Sequence, residues 1–148
     1  MDSYGHDVEA GWLLCEAARV LEDRQLMDRA NRLALDVTDA CLAEGLSDKG
    51  YMMYEKKGGR TTGHASWWGQ IETVIACVNA WQISGSDVYL QSVDTVWTFV
   101  KDHMVDKEYG EWYSDCFDGE PKKEAPKVSM WRCPYHTVRL GVEIHNRL

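Results

Sequence analysis

The sequence lacks a long apolar run, a basic cluster and a recognisable N-terminal signal peptide, and each absence argues against a class of protein. No stretch reaches about 18 consecutive apolar residues, so we expect no membrane-spanning helix. The formal net charge is -8, from 16 Lys and Arg against 24 Asp and Glu, which makes nucleic acid and anionic membranes poor partners. The first residues lack the basic and apolar regions of a signal peptide, so we expect a cytoplasmic location.

Neither a linker nor a low-complexity segment is present, and the cysteine pattern does not indicate a disulfide framework. The five cysteines are odd in number and widely spaced, which favours buried thiols over a disulfide framework: Cys15, Cys41, Cys77, Cys116 and Cys133. What the chain does have is apolar and aromatic content, with 45% hydrophobic residues, 7 Trp and 7 Tyr. This composition predicts one domain over residues 1–148.

An internal repeat organises the chain. Shifting the sequence by 63 positions places Glu9 on Glu72 and Leu33 on Val96, and a third copy begins at Trp131. Each unit is predicted to contain an apolar helix, an amphipathic helix and a polar hairpin. Self-similarity at a fixed period is typical of a repeat architecture.

The two helices of each unit differ in their apolar pattern. The segments 8–21 and 67–83 are apolar on most sides, which predicts inner helices buried all round. The outer helices are predicted to bury one stripe each, formed by Leu26, Ala30, Leu33, Val37 and Cys41 and by Tyr89, Val93, Val96, Val100 and Met104. Two layers of antiparallel helical hairpins predict an all-α fold, part of an α/α toroid or barrel, with the first turns of the inner helices at one rim.

Short strands are predicted after each outer helix, over residues 48–54 and 109–113. Residues 118–127 combine Gly119, Pro121 and Pro126 with several charges, which indicates a hairpin tip or a mobile loop. The strands either decorate the rim or shape a binding cleft there.

The first candidate for chemistry is the pair His6 and Glu9, three positions apart on the first inner helix. At this spacing the carboxylate can orient the imidazole and stabilise its protonated form, as a tuned base requires. A structural ion pair at a helix start is the alternative, and a metal site with Asp7 or Glu9 is a weaker one. Because Cys133 and His136 have no second ligand pair, we expect no metal ion.

The second candidate lies at the start of the third inner helix. Pro134 suits the first helical position, which places His136 in the first turn, where the helix dipole favours a neutral imidazole able to accept a proton. Trp68 and Glu72 share one face of their helix, and Trp131 precedes the third. Indole faces stack on sugar rings and carboxylates accept hydroxyl hydrogen bonds, so these three residues are candidate sugar contacts, with packing in the core as the alternative.

Four segments together resemble the N-acylglucosamine 2-epimerase superfamily, and within it the cellobiose 2-epimerases. They are YGHDVEAGWLL at 4–14, WWGQIE at 67–72, EYGEW at 108–112 and WRCPYH at 131–136. The resemblance extends from the first residues to the last predicted helix. It departs from the cellobiose enzymes at Thr137-Val138 and at Ile71, while Gly11 is closer to the acylglucosamine epimerases.

This resemblance implies a partial (α/α)6 barrel and cofactor-free epimerisation at C2 of a reducing-end sugar, through an enediolate. It implies that His6 and His136 are the acid and base, with Glu9 as the carboxylate paired with His6. Trp68 and Trp131 would contact the sugar, with Glu72 near them. The expected substrate is a cellobiose-like disaccharide or a hexose. N-acylglucosamine epimerisation and aldose-ketose isomerisation are the alternatives within the superfamily.

Length adds a further expectation, because two hairpins and one more helix are fewer than the six hairpins of a closed barrel. We therefore expect a C-terminal part of such a barrel, lacking the N-terminal half, that self-associates or binds a complementary N-terminal piece. Two other functions remain open. One is an α/α-barrel glycosidase using Glu9, Glu72 and Glu111, and the other is an inactive sugar-binding fragment.

Overall fold

A computed structural model describes residues 2–148 as helices with short strands between them. The α-helices, α1 to α5, span Tyr4–Val20, Arg24–Gly45, Trp67–Ser84, Val88–Phe99 and Tyr135–Arg147. The strands, β1 to β5, span Glu55–Lys57, Arg60–Thr62, Ala65–Ser66, Asp115–Phe117 and Glu120–Pro121. A π-helical segment, Val100–Met104, continues α4. Within residues 2–148, every helix is too short or too polar to cross a bilayer.

Helix α3 is the centre of the fold. Every residue from Gly69 to Ala80 is buried, which agrees with the prediction of a helix that is apolar all round. The other four helices all pack against α3, and α2 also packs along α1. The main core joins α1, α3 and α5 with the facing side of α2 and α4, through residues that include Val8, Trp12, Ile71, Ile75, Val96 and Leu140.

Helix boundaries follow from local sequence. Asp23 caps α2, because its carboxylate accepts hydrogen bonds from the backbone N–H groups of Gln25 and Leu26. Gly85 ends α3 with a φ of 71°, a left-handed conformation that glycine adopts at low cost, and its N–H donates to the carbonyl of Trp81.

The predicted buried stripe of α2 is partly wrong. Leu26 and Leu33 are 37% and 46% exposed, and the buried positions are instead Ala30, Ala34, Thr38, Cys41 and Gly45. Small residues face α1 because the two helices approach closely: a Cβ on Gly11 would lie 3.5 Å from the Cα of Ala34. The larger leucines lie beside this contact. The stripe of α4 is buried as predicted, with Val93 only partly covered.

Helix α1 is also less buried than its composition predicted. Trp12 is buried, whereas Leu13 and Leu14 are 40% and 47% exposed. Their equivalents one repeat later, Ala76 and Cys77, are 1% and 0% exposed. The difference arises because four helices pack around α3, whereas α1 packs mainly against α2 and α3 and meets α5 only through a few side chains such as Glu9.

The strands lie a few residues beyond the predicted segments. Residues 48–54 and 109–113 form turns with single bridges, Leu46 to Met52 and Val105 to Trp112. The ladders follow them: β1 pairs with β2, and β3, β4 and β5 form a second antiparallel sheet in that order. Because β3 precedes α3 and β4 follows the π-helical segment, this sheet ties the two repeats together at the rim. The predicted hairpin tip lies between β4 and β5 at Asp118 and Gly119, which have φ angles of 55° and 94°.

The third inner helix begins at Tyr135, one residue after the predicted first helical position at Pro134. Residues 129–132 form a tight turn, in which Ser129 pairs with Arg132. Proline disfavours helical backbone in the residue before it, so Pro134 keeps Cys133 out of the helix and stands at the N-cap. His136 still lies in the first turn. Of the five thiols only Cys133 is exposed, and burial raises the pKa of Cys41 and of Cys77 to about 12.

Candidate active site

Equivalent positions of the three inner helices meet at one point. Glu9, Glu72 and His136 are separated by 63 and 64 positions, and one carboxylate oxygen or ring nitrogen of each lies within 4.8 Å of those of the other two. Seven residues further along each helix, a second set converges on Arg147, which bonds to Glu16 Oε1 at 2.5 Å, Asn79 Oδ1 at 3.2 Å and Glu143 Oε2 at 3.1 Å. Two such layers in register mean that the inner helices run parallel.

His136 is held by a fully buried carboxylate. Its Nδ1 lies 2.6 Å from Oε1 of Glu72, whose other oxygen accepts a hydrogen bond of 2.9 Å from Nε1 of Trp12. A carboxylate oxygen only accepts, so Nδ1 of His136 carries the hydrogen. Nε2 has no hydrogen-bond partner among residues 2–148, and in the neutral ring it holds the lone pair. This arrangement fixes both the tautomer and the orientation of the imidazole.

Arg139, one turn beyond His136 on α5, joins two of the carboxylates. Its Nη1 donates to Oε1 of Glu9 at 2.6 Å and to Oε1 of Glu72 at 3.0 Å. Burial lowers the pKa of Arg139, but the bond to Glu9 and the charge of Glu72 outweigh it, and the net shift is upward. The guanidinium supplies the positive charge between these acids that a metal ion would otherwise provide. The cluster is therefore built around a cation of its own.

His6 has a different partner from the one that the spacing predicted. Its Nδ1 lies 2.7 Å from Oγ of Ser3, while Glu9 bonds to Arg139. The reason is geometric: on α1 the carboxylate faces α5, where a guanidinium lies within reach. The expected pairing of His6 with Glu9 is thus replaced by two separate contacts.

Both imidazoles pack against the same indole, that of Trp68. The ring centroid of Trp68 lies 4.5 Å from that of His6 and 5.9 Å from that of His136. Gly5 makes this possible, because a Cβ at that position would lie 2.6 Å from the Trp68 ring. The side chain of Trp68 is only partly buried, so a ligand can reach its surface.

Trp131 is not brought into this cluster. Its side chain lies in the turn before α5, 85% exposed, and makes no ring contact with His6, Trp68 or His136 in the described chain. Its neighbour Arg132 is buried instead: the guanidinium stacks 4.9 Å above Trp67 and donates to the carbonyl of Trp112.

Sequence reasoning missed Ser3, Trp12 and Arg139. The signal for the last two was present, since Trp12 lies three residues after Glu9, and Arg139 three after His136, on the same helix faces. Nothing in the periodicity indicated that a serine before α1 would contact an imidazole.

Comparison with known proteins identifies the family to which the chain belongs. The sequence model described as N-acylglucosamine 2-epimerase (GlcNAc 2-epimerase) matches residues 3–139. The chain belongs to this family. The predicted resemblance is confirmed, and the four segments that carried it include His6, Glu72 and His136.

Members of the family with assigned names are close in sequence. A cellobiose 2-epimerase from Bacteroides fragilis is 41% identical over 147 residues, covering 96% of the chain and 37% of that protein. One from Dictyoglomus turgidum is 34% identical, over 99% of the chain and 38% of that protein. The chain thus spans a little over a third of the length of these relatives.

Solved structures of the family share the fold. A sugar epimerase from a ruminal bacterium superposes with a TM-score of 0.93 at 36% identity, over 98% of the chain and 38% of that structure. Cellobiose 2-epimerase from Bacillus thermoamylovorans gives 0.87 at 32% identity, over 99% of the chain and 37% of that structure. These enzymes are (α/α)6 barrels, so the predicted fold class, part of such a barrel with short rim hairpins, is confirmed.

Proposed function

We propose that the chain carries the acid–base residues of a sugar 2-epimerase that acts on a cellobiose-like disaccharide. The observation that carries this proposal is the placement of two imidazoles, His6 and His136, against one partly exposed indole, that of Trp68. An indole face can hold a sugar ring by stacking, and Trp68 would then present the ring between two groups able to exchange protons.

The proposed reaction starts from the open-chain aldose. One imidazole removes the C2 proton, and the electron pair of the broken C–H bond moves toward C1 to form an enediolate. The other imidazole donates a proton to the opposite face of C2, which inverts that centre and regenerates the carbonyl. Each histidine ends with the opposite protonation state, and proton exchange with water resets the pair. No oxidant, reductant or cofactor enters this sequence.

The buried carboxylate suits this chemistry. Glu72 fixes the hydrogen of His136 on Nδ1, so Nε2 is the nitrogen that takes up or gives back the substrate proton. Arg139 balances the charge of Glu72 and Glu9 beside it. Glu9 and Glu72 are therefore engaged with Arg139 rather than free to protonate a glycosidic oxygen, which argues against a glycosidase.

Proton NMR of cellobiose in deuterated water tests the proposal. We expect the C2 proton signal to disappear and the glucosyl-mannose epimer to accumulate. A ketose product would indicate an aldose-ketose isomerase instead, and free glucose would indicate a glycosidase. A change in tryptophan fluorescence with cellobiose but without any turnover would indicate sugar binding alone.

The assay is run on the chain and on a chimera in which it replaces the matching 147 residues of the Bacteroides fragilis relative. If the chain alone is inactive, the chimera shows whether the assigned reaction is wrong or whether the chain only lacks the rest of the barrel. His6→Ala and His136→Ala in the chimera should each abolish exchange and leave the helical circular dichroism intact. Wild-type exchange in either variant would remove that histidine from the mechanism.

A further inference from the structure

Ser3 stands at the N-cap of α1 but does not cap the helix. A serine at this position ordinarily accepts a hydrogen bond from the backbone N–H of the second or third helical residue. Here the side chain makes no capping bond, and Oγ instead lies 2.7 Å from Nδ1 of His6, the third residue of the helix. The chain uses an ordinary cap elsewhere, at Asp23, so this is a local departure.

The contact is sheltered and the opposite edge of the ring is free. Ser3 is 8% exposed, whereas His6 is exposed at the surface beside Trp68. Within residues 2–148, Nε2 of His6 has no hydrogen-bond partner. The ring is thus held by one nitrogen and by stacking on an indole, with its second nitrogen available to a ligand.

From this geometry we propose that Ser3 is a positioning residue for His6. Its Oγ accepts the Nδ1 hydrogen and leaves the Nε2 lone pair directed to the sugar. The effect of Ser3 on catalysis rests on the proposed epimerase function, but the hydrogen bond between Ser3 and His6 can be tested without turnover. It also makes the two histidines unequal, because His136 is held by a carboxylate and His6 by an uncharged hydroxyl.

None of the charged groups around His6 takes the place of Ser3 as the partner of Nδ1. Asp7 follows it on α1 and is partly buried, which raises the pKa of the Asp7 carboxyl. Glu9 bonds to Arg139 of α5. From α3 the ring meets Trp68, which carries no charge. Ser3 is therefore the group that can fix which nitrogen of His6 carries the hydrogen.

The repeat supplies a matched control. Ser66 lies 63 positions after Ser3, stands at the N-cap of α3, and likewise makes no side-chain capping bond. At the position equivalent to His6, α3 has Gly69. Ser66→Ala therefore removes the same hydroxyl from the same place on a helix without an imidazole to hold.

The first measurement is the ring 15N spectrum of the chain, with the His6 signals assigned by their loss in His6→Ala. We expect His6 mainly in the form with hydrogen on Nδ1, and a shift toward exchange between the two forms in Ser3→Ala. Ser66→Ala should leave these signals unchanged. A wild-type ring with hydrogen on Nε2, or no change in Ser3→Ala, would overturn the inference, whether or not the chain epimerises sugar.

The second measurement is turnover of cellobiose. Loss of a group that orients a metal-binding histidine costs roughly 10-fold to 100-fold in activity, and by analogy we expect kcat of Ser3→Ala to fall by at least about 10-fold with KM nearly unchanged. Ser3→Thr keeps the hydroxyl and should recover most of the rate. Full activity in Ser3→Ala would overturn the positioning role. Turnover is measured in the chimera as well as in the chain; if the chimera is also silent on cellobiose, the proposed substrate is wrong, and the 15N result still decides the role of Ser3.

Discussion

At the scale of single residues, Glu72 connects the core to the candidate active site. It is fully buried, yet three polar groups from two neighbouring helices converge on its carboxylate: Trp12 of α1, and His136 and Arg139 of α5. A buried carboxylate without such partners would be strongly destabilising. The residue was predicted as a sugar contact, but its burial and its bond to His136 make it a support for the imidazole.

Glu72→Gln should therefore reduce catalysis while leaving the fold intact. The amide can still accept the Trp12 hydrogen bond, but it has no charge to hold the Nδ1 hydrogen of His136. By analogy with other supporting carboxylates, kcat/KM for epimerisation should fall roughly 10-fold to 100-fold. Circular dichroism and kinetics on the same preparation measure both parts.

Glu16→Gln is the comparison for this change. Glu16 lies one layer below Glu9 and bonds to Arg147 rather than to a histidine. Glu16→Gln should lower thermal stability because it weakens the bond to Arg147. It should leave kcat/KM within about twofold of wild type, because Glu16 does not contact the reacting groups. Equal kinetic losses in the two variants would indicate a structural effect and contradict the role of Glu72.

At the scale of elements, a partly buried ion pair holds the segment before α5 against the rim. Asp106 follows the π-helical segment and pairs with Lys127, which also donates to the carbonyl of Gly110. The Asp106 carboxylate further accepts from the backbone N–H groups of Glu108 and Tyr109. These bonds fix the turn around residue 110 and the chain that leads to His136.

The stability that the Asp106–Lys127 ion pair contributes should decrease in acid. The hydrogen bond from Lys127 holds the pKa of Asp106 well below its usual range, although burial opposes the shift. A carboxyl with a lowered folded-state pKa stabilises the fold above its unfolded pKa, about 4, and this stability is lost as the pH falls further. Asp106→Asn should therefore unfold at lower urea than wild type at pH 7, with the gap closing below about pH 4.

Asp118→Asn is the matched change for that experiment. Asp118 also pairs with a lysine, Lys49, but its side chain is 85% exposed, and an asparagine tolerates its φ of 55°. Asp118→Asn should lower the free energy of unfolding only slightly at any pH, because exposed ion pairs contribute little to stability. A gap for Asp106→Asn that is independent of pH would show that its charge is not what stabilises the turn.

At the scale of the whole molecule, the helices form an arc with two apolar edges. On the α1 and α2 side, two grooves of about 510 and 380 Å³ share Leu14 and Leu33. On the other side, a groove of about 670 Å³ lies between α3, α4 and α5 and includes Trp97 and Trp112. Apolar surface of this extent favours association.

We expect the isolated chain to self-associate through the α1 edge. Leu14→Glu combined with Leu33→Glu places charges in both grooves and should shift the sedimentation mass toward the 16.9 kDa of one chain. Val88→Glu, at an exposed site on α4 outside these grooves, should leave the association unchanged. A wild-type chain that is monomeric at every concentration would contradict the expectation. That the chain is a C-terminal part of the barrel, with an N-terminal complement, stays a prediction.

The sequence predicted most of the fold because its signals are local. The apolar segments at 8–21 and 67–83 lie within α1 and α3 to within a few residues, and the 63-residue shift correctly aligned Glu9 with Glu72. Exposure was less predictable: Leu13 and Leu33 have the periodicity of core residues. Their burial depends on which helices lie beside them, and periodicity carries no information about that.

The sequence by itself determined the repeat, the inner helices and the meeting of Glu9, Glu72 and His136 at the rim, because equivalent positions on parallel helices must meet. Only the tertiary structure decided how these residues pair. Glu9 bonds to Arg139 rather than to His6, Glu72 holds His136, and Trp131 stays outside the cluster. Such choices depend on ångström-scale distances between side chains of different helices, and spacing along one helix cannot fix them.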